Sequence, residues 1–190
     1  MKNRIIAITG GIGAGKSVVS RMLVALGYTV YDCDSRAKVL MDSSDEIKSR
    51  IGAEIAPEVV ADGIIRRDML AAIVFSDPEK LLKLNNIVHH HVRRDIALES
   101  SRVPLLFIET AILYESGLDG MVESVWEVTA PETVRVGRIV SRNSCSEAEA
   151  RARIESQRRT PARLHPSIHK IINDGVEPVL PRVLELLKTV

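Results

Sequence analysis

The feature that most constrains this chain is a glycine-rich stretch, ITGGIGAGKSVVS at residues 8–20, which separates an apolar run from a helical pattern. Its core, residues 10–17, reads Gly-x-x-x-x-Gly-Lys-Ser, the spacing typical of a phosphate-binding loop. The preceding run, Arg4 to Thr9, predicts a strand buried on both faces. Apolar residues at helical spacing predict a helix over residues 16–26. The order strand, loop and helix therefore predicts a phosphate bound at the N-terminus of that helix.

The residue types in the loop suit this chemistry. Glycines let successive backbone N–H groups point at phosphate oxygens, and the helix N-terminus adds about half a positive charge. Lys16 is predicted to reach the β- and γ-phosphates, and the Ser17 hydroxyl to bind Mg²⁺. The dinucleotide pattern G-x-G-x-x-G is excluded, because Lys16 stands where its third glycine would fall. The predicted ATP-binding residues of this region are Gly11, Ile12, Gly13, Ala14, Gly15, Lys16, Ser17 and Val18.

Composition limits the other possibilities. A chain of 190 residues with 45% hydrophobic content is expected to form one domain, residues 1–190. A net charge of +1 gives no support to a nucleic acid or a membrane as partner. The N-terminal apolar run is too short for a signal peptide, and no run approaches the ~20 residues of a membrane span, so we expect a cytoplasmic protein. Cys33 and Cys145 match no metal-binding or redox spacing.

Four further strands are predicted, at Tyr28–Cys33, Val103–Ile108, Ser124–Thr129 and Ser167–Ile172, with helical patterns between them. This alternation predicts a three-layer α/β fold with a five-stranded parallel sheet. One segment breaks the alternation. Residues 35–101 carry mainly helical signals, including a helix start at Asp77-Pro78-Glu79, and predict an inserted helical subdomain.

Acidic residues follow two of the predicted strands. Asp32 and Asp34 lie at the carboxyl end of the second strand, the edge where parallel sheets bind ligands, and strand alternation would place both on one face. A carboxylate there can orient or deprotonate an attacking hydroxyl, although either one could instead cap the next helix. Glu109 follows the third strand and is predicted to contribute to a Mg²⁺ site, although it could instead be a plain solvent-facing glutamate. A GTPase is not favoured, because the chain has no Asn-Lys-x-Asp.

A basic segment follows the fourth strand. Residues 135–163 contain eight arginines and three glutamates. Such a segment predicts a lid that closes over the triphosphate of a small kinase, although charge runs are more often solvated faces. Arg138 and Arg142, four residues apart on one helical face, are its strongest candidate members.

Taken in order, the motifs resemble those of the dephospho-CoA kinase family. Besides the glycine loop they are LGYTVYDCDSRAKVL, DGIIRRDMLAAIVFSDPEK, ETAILYESGL and RIESQ. The resemblance implies transfer of the ATP γ-phosphate, with Mg²⁺, to the ribose 3′-hydroxyl of dephospho-CoA, the last step of coenzyme A synthesis. It also implies the P-loop kinase sheet order 2-3-1-4-5 and an acceptor-binding role for residues 35–101.

Residue roles also follow from the resemblance. It implies Asp34 as the favoured base, with Lys16, Asp32 and Arg142 as further catalytic residues. Arg138, Arg142 and Asn173 are expected near ATP, and Arg67, His89 and Glu109 near the acceptor. Glu109 stands where the family usually has aspartate, and a glutamate can serve the same role from one methylene further out.

Two other functions are compatible with the loop. One is phosphorylation of a different small metabolite, and the other is a non-catalytic regulatory domain that binds ATP and a partner protein. The presence of Lys16, Ser17 and Asp34 together argues against the second. The predicted partners are ATP and dephospho-CoA, and the oligomeric state is not predicted.

Overall fold

The computed structural model describes residues 4–157 and 163–190. In chain order its strands are β1 (Arg4–Thr9), β2 (Thr29–Asp32), β3 (Val60–Ala61), β4 (Ile64–Ile65), β5 (Leu105–Glu109), β6 (Ser124–Thr129) and β7 (Ile168–Ile172). Its helices are α1 (Lys16–Ala25), α2 (Cys33–Ser43), α3 (Asp45–Glu54), α4 (Arg67–Ser76), α5 (Pro78–Ser100), α6 (Glu132–Asn143), α7 (Glu147–Ser156) and α8 (Val179–Leu187). No helix in these two ranges has the length and apolar character that a membrane crossing requires.

Five of the strands form one parallel sheet in the order β2-β5-β1-β6-β7. Numbered among themselves, these strands run 2-3-1-4-5, so the predicted fold class and strand order are confirmed. The central strand β1 is apolar on both faces, and its residues Ile6, Ala7 and Ile8 are fully buried. A chain leaving β1 therefore emerges at the middle of the carboxyl edge of the sheet, where α/β proteins bind ligands.

Helices α1 and α8 cover one face of the sheet. Val19 and Leu23 of α1 and Val183 of α8 are fully buried in a core that includes Phe107 and Trp126. The rings of Phe107 and Trp126 lie 5.1 Å apart between centroids. This packing fixes the first turn of α1, and with it the end of the glycine loop, against the sheet.

Residues Asp32–Arg102 form a compact unit of their own. Helices α2, α3 and α4 pack on the long helix α5 around a core that includes Ile47, Ile51 and Ile87. Helix α5 begins where the sequence predicts, because the Asp77 carboxylate accepts hydrogen bonds from the N–H groups of Glu79 and Lys80.

This unit also contains a small hairpin, β3–β4, which is not among the predicted strands. Its two turn residues, Asp62 and Gly63, have φ angles of 52° and 73°. An Asp-Gly pair between two short apolar segments is the usual signal for a two-residue hairpin turn, and it was present in the sequence. The strands are only two residues each, which leaves almost no alternation to detect.

The core of this unit makes a prediction about stability. Ile87→Ala should lower the free energy of unfolding by about 3 kcal/mol, because it removes a fully buried side chain and leaves a cavity. Leu82→Ala on the same helix is the matched control, since Leu82 is 61% exposed and should change stability by less than about 0.5 kcal/mol. Urea unfolding followed by circular dichroism measures both, and equal losses would contradict this description of the core.

Candidate active site

The glycine loop connects β1 to α1 in a compact turn. Its backbone is held internally by Ala14 N–H, which donates to Gly11 O at 3.1 Å, and by Val18 N–H, which donates to Gly15 O at 3.0 Å. Gly13 and Gly15 have φ angles of 78° and 97°, a region that other residues enter only with strain. Lys16 Nζ donates to Gly10 O at 2.8 Å, so the ammonium group lies against the loop.

Side chains from elsewhere in the fold bind three consecutive carbonyl groups of the loop. Arg135 Nε donates to Ile12 O at 2.8 Å, and Arg138 donates to Gly13 O and Ala14 O at 3.2 and 3.3 Å. Asn173 Nδ2 donates to Ala14 O at 3.0 Å. In a trans peptide the N–H points opposite to the C=O. The N–H groups of residues 13 and 15 therefore point away from these side chains, as donors to an anion require.

Arg135 and Asn173 also lie close to three glycines of the loop. A Cβ on Gly11 would collide with the guanidinium group of Arg135, and one on Gly13 would lie 2.8 Å from the carbonyl oxygen of Arg135. A Cβ on Gly15 would collide with the side-chain amide of Asn173. The glycines thus allow neighbouring protein groups to approach the outside of the loop, in addition to the role predicted for its inside.

Arg135 and Gln157 are site residues that sequence reasoning did not select. Gln157 follows α7, and its Oε1 accepts a hydrogen bond from Ile12 N–H at 2.7 Å. Both residues had a signal, since Arg135 begins the basic segment and Gln157 ends the motif RIESQ. Their contact with the loop depends on packing between distant parts of the chain, which spacing does not reveal.

Asn173 lies beneath the loop, at the end of β7. It is 7% exposed, and its Oδ1 accepts a hydrogen bond from Arg138 at 3.1 Å, so its amide is bonded on both sides. The next residue, Asp174, accepts hydrogen bonds from the N–H groups of Val176 and Glu177, which hold the pKa of that carboxyl below its usual range. The turn after β7 is thereby fixed against the glycine loop.

The two aspartates of the D-x-D motif do not share a strand. β2 ends at Asp32 and α2 begins at Cys33, so the prediction that strand alternation places both on one face is wrong. The reason is helix capping. Asp32 Oδ1 accepts from the N–H groups of Asp34 and Ser35, and Oδ2 accepts from the Ser35 hydroxyl at 2.7 Å. Asp34 is exposed in the first turn of α2.

Glu109 and Ser17 occupy the carboxyl edge of the sheet and the start of α1. Glu109, half-buried at the end of β5, is the strand neighbour of Ile8 in β1, two residues before the loop. Ser17 is exposed in the first turn of α1, directly after Lys16. A carboxylate and a hydroxyl are oxygen donors of the kind that Mg²⁺ prefers, so this donor set fits that ion.

Two of the other predicted residues, Arg142 and Arg67, bond to partners outside the loop. Arg142 Nε donates to Asn143 Oδ1 at 3.2 Å, and in the described part of the chain it is not bonded to the loop. Arg67, at the start of α4, pairs with Asp42 of α2 at 2.7 Å. His89 is half-buried on α5. The predicted lid spans residues 135–163, of which residues 158–162 lie outside the described residues.

Comparison with known proteins decides the family. The family model described as dephospho-CoA kinase matches residues 4–178. A curated dephospho-CoA kinase from Porphyromonas gingivalis is 39% identical over 188 residues, which cover 97% of this chain and 93% of that protein. The chain belongs to the dephospho-CoA kinase family.

Solved structures agree with this assignment. The crystal structure of TT1252 from Thermus thermophilus has a TM-score of 0.78 and 35% identity, covering 100% of this chain and 98% of that one. The dephospho-CoA kinase from Campylobacter jejuni has a TM-score of 0.64 and 25% identity, covering 100% of this chain and 96% of that one. Membership of the dephospho-CoA kinase family makes the glycine loop the nucleotide-binding loop of a kinase.

Substitutions at two glycines test whether the close contact between Asn173 and the loop matters for ATP binding. Gly15→Ala should weaken ATP binding more than tenfold, because the new methyl group meets the Asn173 amide and displaces the loop. Gly27→Ala is the matched control. Gly27 has a similar φ of 89° but no neighbour within 4 Å, so it incurs only the backbone strain of about 1–2 kcal/mol. Calorimetric titration with ATP measures both affinities. Equal affinities for the two variants would contradict the role of the Gly15–Asn173 contact.

Proposed function

We propose that this protein transfers the γ-phosphate of ATP to the ribose 3′-hydroxyl of dephospho-CoA, with Mg²⁺ as cofactor. The observation that carries the proposal is the Gly15-Lys16-Ser17 sequence at the junction of the central strand and α1, in a chain of the dephospho-CoA kinase family. That junction brings together backbone donors, a lysine and a helix N-terminus, which are the groups that a transferring phosphoryl group requires.

The loop provides the binding of the triphosphate in this proposal. The N–H groups of Gly13 and Gly15 point away from the side chains that hold the neighbouring carbonyl groups, and they are the donors to the β-phosphate. Lys16, whose Nζ now bonds to Gly10 O, moves its ammonium group to the β- and γ-phosphates and opposes their charge in the transition state.

The proposal includes Mg²⁺ because Ser17 and Glu109 offer oxygen donors of the kind that this ion prefers. Ser17 Oγ and the Glu109 carboxylate would hold it, in part through water, and it would neutralise charge on the β- and γ-oxygens. Glutamate reaches one methylene further than aspartate, and Glu109 is half-buried at the strand end, with Ile8 beside it. Its side chain is thus directed by a rigid element rather than by a loop.

Asp34 is the proposed base, and its neighbour supports that choice. Both carboxylate oxygens of Asp32 accept hydrogen bonds from the first turn of α2, so Asp32 is committed to capping that helix. Asp34, in the first turn of the helix and exposed, is left to accept or orient the proton of the ribose hydroxyl. Asp32 acts as the residue that fixes the direction of α2 and with it the position of Asp34.

Residues 35–101 are the proposed acceptor-binding region. They lie within the compact unit Asp32–Arg102, where Arg67 and His89 stand on two helices that pack together, α4 and α5. Arg138 and Arg142, on α6, are proposed to face the triphosphate from a basic lid. Arg138 now donates to the carbonyl groups of Gly13 and Ala14 on the outside of the loop, so facing the triphosphate requires it to leave those two bonds.

Lys16→Ala tests the role of the loop. We expect kcat to fall by at least about 10³-fold, because the lysine opposes charge that develops on the transferring phosphate. The melting temperature should change little, since Lys16 is half-buried and packs in no core cluster of the described residues. Turnover rate and melting curve are measured on the same sample. A variant that melts early but turns over normally would contradict the role of Lys16 in phosphate transfer.

The two aspartates are tested in parallel as Asp34→Asn and Asp32→Asn. Asparagine caps a helix about as well as aspartate, so neither change should alter the fold. Asp34→Asn should lower kcat by about 10²–10⁴ with ATP affinity nearly intact, toward the lower end because a loose transition state needs little base strength. Asp32→Asn should cause the smaller loss. The reverse order of losses would identify Asp32 as the base.

The acceptor is tested directly with ATP, Mg²⁺ and a panel of pantetheine-bearing nucleotides. Phosphate should appear on the ribose 3′-hydroxyl of dephospho-CoA, located by mass spectrometry and phosphorus NMR. Addition of EDTA should stop turnover. ATP binding without transfer to any member of the panel would contradict the proposed reaction and favour a regulatory ATP-binding domain.

A further inference from the structure

We propose that Gln157 and Arg135 are positioning residues for the phosphate loop, which act by holding the two backbone polar atoms of Ile12. Neither residue needs to touch ATP for this role. The predicted effect on ATP binding rests on the proposed function, whereas the predicted effect on the order of the loop backbone does not.

Ile12 is held on three sides by one helical hairpin. Its N–H donates to Gln157 Oε1 at 2.7 Å, directly after α7, and its carbonyl oxygen accepts from Arg135 Nε at 2.8 Å, on α6. Its side chain packs against the core that joins these helices, formed by the buried residues Val136, Ile139, Ala150 and Ile154. The third residue of the loop is therefore a part of the hairpin core.

The two hydrogen bonds fix the backbone angles of Ile12. The N–H belongs to the peptide plane before its Cα, and the carbonyl group belongs to the plane after it. Holding one group from each plane leaves little freedom in φ and ψ between them. Because the Gly13 N–H points opposite to the Ile12 carbonyl, the Arg135 bond also sets the direction of that donor.

The arrangement places Gly13 N–H as a phosphate donor before ATP arrives. An oriented donor costs no reorganisation when the charged ligand binds or when charge develops on it. Without the two bonds, the flexible Gly11–Ile12–Gly13 segment would have to be ordered by the ligand itself, at the expense of affinity. This predicts an effect on ATP binding rather than on the chemical step.

Gln157→Met removes the acceptor and keeps the length of the side chain. In the nucleotide-free protein, the Ile12 amide should exchange with solvent about fivefold faster, as measured residue by residue by NMR. Gln157→Glu restores an oxygen at the same reach, so its Ile12 amide should exchange within about twofold of the unaltered protein. In kinetics, Gln157→Met should raise KM for ATP about fivefold and leave kcat within about twofold.

A double-mutant cycle tests whether Gln157 and Arg135 act through the same residue. Each single change, Gln157→Met or Arg135→Met, should weaken ATP binding, and the double variant should bind no more weakly than the worse single variant. Arg135→Lys, which keeps the charge and the aliphatic stem, takes the place of Arg135→Met if that variant does not fold. Arg182→Met is the matched control, because Arg182 on α8 also donates its Nε to a backbone carbonyl group, that of Lys170, and pairs with Glu185.

The outcomes separate this inference from the proposed function. Unchanged exchange at Ile12 in Gln157→Met would overturn the inference whatever the protein binds. Additive losses in the cycle would also overturn it, since they would mean that Arg135 contacts ATP on its own. Faster exchange in a protein that binds no ATP would support the positioning of the loop and contradict the proposed function alone.

Discussion

The site depends on hydrogen bonds made to the outside of the glycine loop. Three consecutive carbonyl groups accept bonds from Arg135, Arg138 and Asn173, and the peptide geometry then turns the intervening donors the other way. A short glycine-rich loop has little conformational preference of its own. Groups on α6 and at the end of β7 therefore supply the order that makes the loop an anion site.

These outer contacts bind distant parts of the chain into one structure. Residues 10–15 meet residues near 135 and near 173, so the loop forms its geometry only when β6, α6 and β7 are in place. The apolar core beneath α1 and α8 likewise holds α1, the helix that follows the loop, in place. Nucleotide binding is thus coupled to the folding of the compact unit that contains the loop, Met1–Tyr31 with Val103–Val190, and ATP should stabilise that unit by mass action.

The motif D-x-D shows how one side chain can end a strand and begin a helix. Asp32 ends β2 and caps α2 with both of its oxygens, and the cap turns the chain so that Asp34 enters the helix rather than continuing the strand. The sequence pattern identified both carboxylates as candidates at the end of the second strand. It placed both on one face of that strand because the strand pattern was continued past Asp32. Asp32 in fact ends the strand, since its side chain caps the helix that follows.

Local signals were sufficient for much of this protein. The parallel sheet, the start of α5 at Pro78 and the loop with Lys16 and Ser17 could be predicted, because apolar periodicity, capping residues and glycine spacing act between residues that are close in sequence. The strand order 2-3-1-4-5 came from resemblance to a known family. Only the tertiary structure decided that Gln157 and Arg135 hold Ile12, because those hydrogen bonds join residues 145 and 123 positions apart. No local pattern records such a contact, since it exists only once the hairpin α6–α7 packs against the loop.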